Sequence, residues 1–290
     1  IALVISQKFE IIFIILSFLI LELSSTILLG KKFYSQYSKF IFTQKILQLI
    51  LGIGLYLLIG FDGVLIGIIL ANLPLLFILL RELKNFKFNF SGLKHSKEFI
   101  TNNYFAFLIS VFRRDIDKII IAPMLGFVVL GNFGFAIQIY TILMVVSTIS
   151  YKYLVPEEIS GKNNKQFKKI LILFSIGISV AGFILAPILI ESIFPKFIES
   201  VPAIQILSFT VIPGTIGMIL SSKLLALEKS RYLILATIVQ LCFVLVGTIF
   251  LGSLFGLIGV AFSFLLSGTA HAVTLSIINY HFIGRKKFDI

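Results

Sequence analysis

Six consecutive residues, Arg113-Arg114-Asp115-Ile116-Asp117-Lys118, interrupt an otherwise apolar stretch that runs from Ile100 to Pro123. On a helix Arg113 stands four residues before Asp117, so guanidinium and carboxylate share a face and can pair. The same periodicity lines up Asn103, Ser110, Arg114 and Asp117 as one stripe, with Lys118 on the edge beside Arg114. Guanidinium forks facing a cavity suit a diphosphate or another anion. Charges at membrane depth are costly and face either protein or a water-filled cavity. A structural salt-bridge cluster between helices uses the same residues equally well. Glu22, two-thirds of the way along Phe9 to Leu29, is a second candidate for a charge at depth. There it would bind a coupling cation or a proton; nearer the membrane face it is simply solvated.

The elements that must position these groups follow from apolar length. Of 290 residues, 58% are hydrophobic and 31 are Phe, and the mean hydropathy is +1.08. Such a chain cannot fold around one water-soluble core. Stretches long enough to cross a bilayer run from Phe9 to Leu29, Phe40 to Ile59, Val64 to Leu80, Ile100 to Pro123, Asn132 to Ser150, Ile170 to Ile190, Ala203 to Ser222, Tyr232 to Leu251 and Leu257 to Tyr280. Helix is the spanning structure, because an open strand leaves backbone groups unpaired in lipid.

Basic residues alternate with these spans. The gap after the first holds Lys31, Lys32, Lys39 and Lys45; the gap after the third, Arg81, Lys84, Lys87, Lys94 and Lys97. Lys152, Lys162, Lys165, Lys168 and Lys169 follow the fifth, and Lys223, Lys229 and Arg231 the seventh. Arg285, Lys286 and Lys287 close the chain, leaving only Lys8, Lys196 and the three basic residues inside the fourth span. Lys-rich gaps face the cytoplasm, so the chain is expected to be a multi-pass protein of the cytoplasmic membrane with its C-terminus inside. The net charge of +12 therefore does not point to nucleic acid, since it is dispersed over short loops. Charge parity also bears on the fourth span. Ile100 to Phe112 alone would reach only about 20 Å, and a chain turning back there would put every later basic gap outside.

Shifted by 192 residues, Lys39 falls on Arg231, Gln48 on Gln240, Gly60 on Gly252 and Gly67 on Gly259. The spacing suggests a parallel six-helix repeat. Because the chain opens on Ile1 and not Met, three further helices are expected to precede it. Residues 1–98 then form the end of an N-terminal lobe, helices four to six with a cytoplasmic linker, and residues 99–290 a C-terminal lobe, helices seven to twelve. The water-exposed segments are too short for a domain or an extramembrane active site. Metal and nucleotide motifs are missing from the sequence, no cofactor is expected, and Cys242 stands alone. His95, His271 and His281 are scattered, and His271 fits a hydrogen-bonded packing residue. Gln48 and Gln240 are expected to bridge helices. Pro74, Pro187 and Pro213-Gly214 should break the ladders of their spans, while Gly63, Gly67, Gly252 and Gly256 suit close helix packing.

Asp117-Lys118-Ile119-Ile120-Ile121, Leu125-Gly126, Gly131, Phe133, Ala136 and Pro156 resemble the pattern of flippases that export lipid-linked polysaccharide repeat units, within the multidrug/oligosaccharidyl-lipid/polysaccharide (MOP) exporter superfamily. The resemblance implies an all-α polytopic bundle of MATE-like type: two six-helix lobes around a cavity that opens alternately to each side, with the first three helices missing from this chain. It implies a polyisoprenyl-diphosphate-linked oligosaccharide as cargo, with Arg113, Arg114, Lys118, Asn103 and Ser110 as substrate contacts. H+ or Na+ would be the coupling ion, with Asp117 and Glu22 as ion-binding or salt-bridge groups. A drug or cation antiporter of the same superfamily and a non-transporting membrane scaffold are the alternatives; an enzyme is not expected.

Overall fold

The structure, a computed structural model, describes residues 2–84, 97–161 and 164–281; the side chains at 2–11, 78, 82–83 and 113–118 lie outside the description. All regular structure among the described residues is helical. Two compact units divide the chain, residues 1–90 and 91–290.

The first unit contains α1 (Ala2–Gly30), α2 (Tyr34–Ile59), α3 (Phe61–Asn72) and α4 (Leu76–Lys84). A 3₁₀ turn at Leu73–Leu75, with Pro74 inside it, joins α3 to α4. Proline lacks the N–H that an α-helical ladder needs there. Gly63 and Gly67 let α3 lie against α2: a Cβ on Gly63 would fall 2.2 Å from the Leu55 carbonyl oxygen, and one on Gly67 2.8 Å from the Gly52 nitrogen. Backbones meet there with no side chain between them.

The second unit contains α5 (Lys97–Leu125), α6 (Phe127–Leu143), α7 (Val145–Ile159), α8 (Lys165–Ile193), a 3₁₀ segment Pro195–Ser200, α9 (Val201–Ala226) and α10 (Ser230–Asn279). The span expected over Asn132 to Ser150 is a bent pair, α6 and α7 meeting at 50° around Met144. The last two spans are two halves of α10, divided at Gly256, whose φ of 57° and ψ of −133° no other residue type adopts readily. Pro187 and Pro213 remain inside continuous helices.

Burial is inverted relative to a water-soluble protein. Leu57, Leu58, Phe77 and Phe127 are 77–81% exposed. Ser175, Ser208, Thr215, Ser222 and Ser263 are fully buried. Lipid offers no reason to hide leucine, so helices associate through small and hydroxyl side chains that pack closely and bond locally. The second unit still has an apolar centre, where Phe133 meets Phe264 edge-on at 5.1 Å among Ile121, Leu207, Val244 and Val260. Six described helices are long and apolar enough to cross a membrane, seven with the bent pair. α5 is not among these; at 29 residues it is about 43 Å long, length enough to cross.

Several backbone features recur at a spacing of 196 residues, one helical turn more than the 192 read from the sequence. The α1–α2 turn and the α9–α10 turn close with the same bonds: Lys32 N–H to Leu29 and Phe33 N–H to Leu28 in one, Glu228 N–H to Leu225 and Lys229 N–H to Leu224 in the other. Each is a Schellman end with its left-handed residue, Lys32 or Glu228, at the same place. Gly60 matches Gly256 in its left-handed backbone. Gly63 matches Gly259, whose Cβ would fall 1.8 Å from the Leu251 oxygen. These pairs are 196 residues apart. A slip of four residues keeps every side chain near the same helix face, so composition alone could not separate the two registers.

Candidate functional site

A cavity of about 540 Å³ lies wholly within the second unit, between α5, α6, α7, α9 and α10. Ser110 reaches it from α5, Tyr140 and Thr141 from α6, Tyr151 from α7, Thr210 and Ser221 from α9, and Gln240, Ser267 and His271 from α10. Sequence dictates this wall in two ways. Gly214 and Gly268 leave room: a Cβ on either would press on Met144 at 3.0 Å or on Thr210 at 3.1 Å. Some of the wall's hydroxyls then bond to carbonyls of their own helices, as Ser267 does to Phe264 and Thr141 to Ile137, which satisfies those donors within the helix. The lining among the described residues carries hydrogen-bonding side chains set in a mostly apolar surface and has no carboxylate, lysine or arginine.

The residues expected to bind substrate are distributed as follows. Ser110 lines the cavity, its hydroxyl donating to the Phe107 carbonyl at 2.7 Å. Asn103, two turns earlier, donates to Phe99 O at 2.9 Å within its own helix. The side chains of Arg113, Arg114, Asp117 and Lys118 lie outside the described ones, but α5 is continuous through them. Helical rise puts Arg113 and Arg114 about 5 Å along the axis beyond Ser110. Glu22 is on the exposed face of α1 in the first unit. His271 sits against Gly217, where a Cβ would meet its Nδ1 at 2.9 Å, and it faces the cavity.

Gln48 does not bridge helices; its Oε1 accepts from Gln44 and Lys45 on its own helix, each at 3.2 Å. The bridge is Gln44, which the span reading overlooked. Its Nε2 donates to Asn72 Oδ1 at 2.8 Å, and Asn72 Nδ2 donates to Ser17 Oγ at 3.2 Å, tying α2 to α3 and α1. All three side chains are buried. Asn72, the lone amide within an apolar stretch, was the available signal.

Elsewhere in the second unit, polar pairs fasten helix ends. Glu98 pairs with Arg231 between α5 and α10, and Lys168 with Glu158 between α8 and α7. The Arg231 guanidinium bonded to Glu98 holds that carboxyl below its ordinary range. Asn132 Nδ2 donates to Glu199 Oε2 at 2.9 Å, pinning α6 to the 3₁₀ segment. No metal-binding group of His, Cys, Asp or Glu occurs among the described residues.

With this geometry in hand, the fold has a counterpart. The chain is similar to a crystal structure of a mutant of the Vibrio cholerae MATE transporter VcmN, with a TM-score of 0.67 at 16% sequence identity. The match covers 86% of this chain, which spans 62% of that transporter's length. No protein-family model matches the chain, and neither does any curated protein. The architecture is therefore a polytopic helix bundle of MATE-like fold.

Proposed function

We propose that the chain is part of a flippase that carries a polyisoprenyl-diphosphate-linked oligosaccharide across the cytoplasmic membrane by alternating access. The observation that carries this reading is on α5: Ser110 opens onto a cavity whose described lining offers hydrogen-bonding side chains and no carboxylate, lysine or arginine, and Arg113 and Arg114 follow within one helical turn. A diphosphate needs fixed positive charge, and a glycan needs neutral donors and acceptors; this helix presents both types in succession. Asn103 and Lys118 extend the polar stripe. The resemblance of the Asp117-to-Ala136 segment to polysaccharide flippases supports the same cargo. Asp117 and Glu22 are the groups proposed to bind H+ or Na+ as the coupling ion. The N-terminal lobe is proposed to end at residue 98, after the linker.

A second reading, antiport of an organic cation, draws support from the fold shared with a MATE transporter. A cation site calls for carboxylates, and the described lining has none. Proteoliposomes loaded with a fluorescent polyisoprenyl-diphosphate oligosaccharide, and separately with a cationic dye, distinguish the two. The flippase reading expects the lipid to cross, and its rate to fall at least about tenfold in the Arg113→Ala/Arg114→Ala variant, in line with a lost charge-assisted bond. Dye transport without lipid movement overturns it.

A further inference from the structure

The repeat register of 196 residues places Gln44, Asn72 and Ser17 opposite Gln240, Gly268 and Pro213. In the first unit this trio is joined by hydrogen bonds from the Gln44 and Asn72 amide nitrogens, with Gln44, Asn72 and Ser17 at 5%, 0% and 2% exposure, though the Gln44 Oε1 is buried without a partner. In the second unit the counterparts of Asn72 and of its acceptor Ser17 carry no amide or hydroxyl. Glycine and proline have no side-chain donor or acceptor, and Gly268, whose Cβ would fall 3.1 Å from the Thr210 methyl, lines the cavity beside Gln240. Gln240 keeps its amide, lines that cavity and bonds to no described residue. Thr210 stands on the same wall, 5% exposed, with its hydroxyl oxygen buried and unpartnered. Buried polar groups are otherwise satisfied in proteins, and an orphan costs more than the bond is worth when made.

We infer that Gln240 and Thr210 form a subsite for an uncharged, hydroxyl-rich sugar unit of the cargo, in a pocket that duplication opened by replacing the Asn72 and Ser17 equivalents with Gly268 and Pro213. The inference rests on the flippase reading and adds to it the part of the cargo held here. A primary amide offers two donors and an acceptor, which matches vicinal hydroxyls. The phenols of Tyr140 and Tyr151 supply flat apolar faces with polar tips around the same space.

The test compares binding of two synthetic probes to the full chain in nanodiscs: a polyisoprenyl diphosphate bearing a neutral disaccharide, and the same lipid diphosphate without sugar. The disaccharide form should bind wild type about tenfold more tightly, the worth of one or two net hydrogen bonds. Gln240→Leu and the near-isosteric Thr210→Val should each remove most of that difference and leave binding of the bare lipid unchanged. Gly268→Asn, which reinstates the amide present at Asn72, should close the pocket and abolish the difference. Thermal midpoints establish which variants fold, and Thr210→Val suffices if the others do not. A sugar-dependent gain that survives Thr210→Val and Gln240→Leu overturns the subsite. So does a bare lipid that binds wild type as well as the glycosylated one, which leaves the flippase reading standing. Failure of both lipids to bind wild type removes the flippase reading and this inference with it.

Discussion

Gly60 and Gly256 hold the same strained backbone, φ 71° and ψ −146° in one and φ 57° and ψ −133° in the other, each at the bend between two antiparallel helices. Immediately beyond each bend a second glycine, Gly63 or Gly259, lets the returning helix touch the carbonyl of Leu55 or Leu251. One hairpin geometry is thus built twice from one chain.

That region of backbone space is almost closed to residues with a Cβ. Gly60→Ala and Gly256→Ala should each destabilise the protein by roughly 1–3 kcal/mol. Gly54→Ala, inside α2 with open space around it, should be neutral or slightly stabilising. Thermal midpoints in detergent measure all three.

Gly63→Ala and Gly259→Ala act differently, since the added methyl meets backbone that has no rotamer to change. The hairpin must part by an ångström or more, and a cysteine pair across it should lose cross-linking. Loss of several kcal/mol is expected, on the scale of severe overpacking.

Asn72 ties three helices of the first unit. Asn72→Leu should destabilise by roughly 0.6–2 kcal/mol, the range of side-chain hydrogen bonds between membrane helices. Combined with Gln44→Leu it should cost less than the sum, because each change already breaks the shared bond. Additive losses in a double-mutant cycle would count against the network.

Glu98 gives the second unit a pH dependence of known sign. Its carboxyl is held low by Arg231, so the folded state binds its proton less readily than the unfolded chain. The stabilisation is present above the ordinary carboxylate range and is lost as pH falls through the lowered folded value. Glu98→Gln should flatten the acid limb of a stability–pH profile; both side chains are well exposed, so salt should shrink the effect.

Helical class was legible because lipid leaves the helix as the spanning structure; nine spans were expected, and six described helices, seven with the bent pair, are long and apolar enough to cross. Span boundaries were less legible. The α6–α7 bend at Met144 has no proline or glycine to announce it, and the repeat register slipped by one turn because leucines and glycines recur on the same face. Of the cavity lining only Ser110 was read as a substrate contact; Gln240 and His271 were read as helix-bridging and packing residues, and both line the cavity. Thr210 and Gly268 gave no signal, since a threonine and a glycine in apolar helices normally serve packing. Their meaning comes from which helix stands opposite, and that is tertiary information. Gln44 was hidden by a similar glutamine one turn away at Gln48.

The central claim is that α5 carries its arginine pair through the bilayer. Single cysteines replacing Lys94, Phe127 and Lys162 in a Cys242→Ala background, labelled in intact cells with a membrane-impermeant maleimide, test this directly. The account predicts labelling at 127 alone, with 94 and 162 reached only after the membrane is opened. Labelling of 94 and 127 from the same side, or of 94 and 162 from opposite sides, would contradict it.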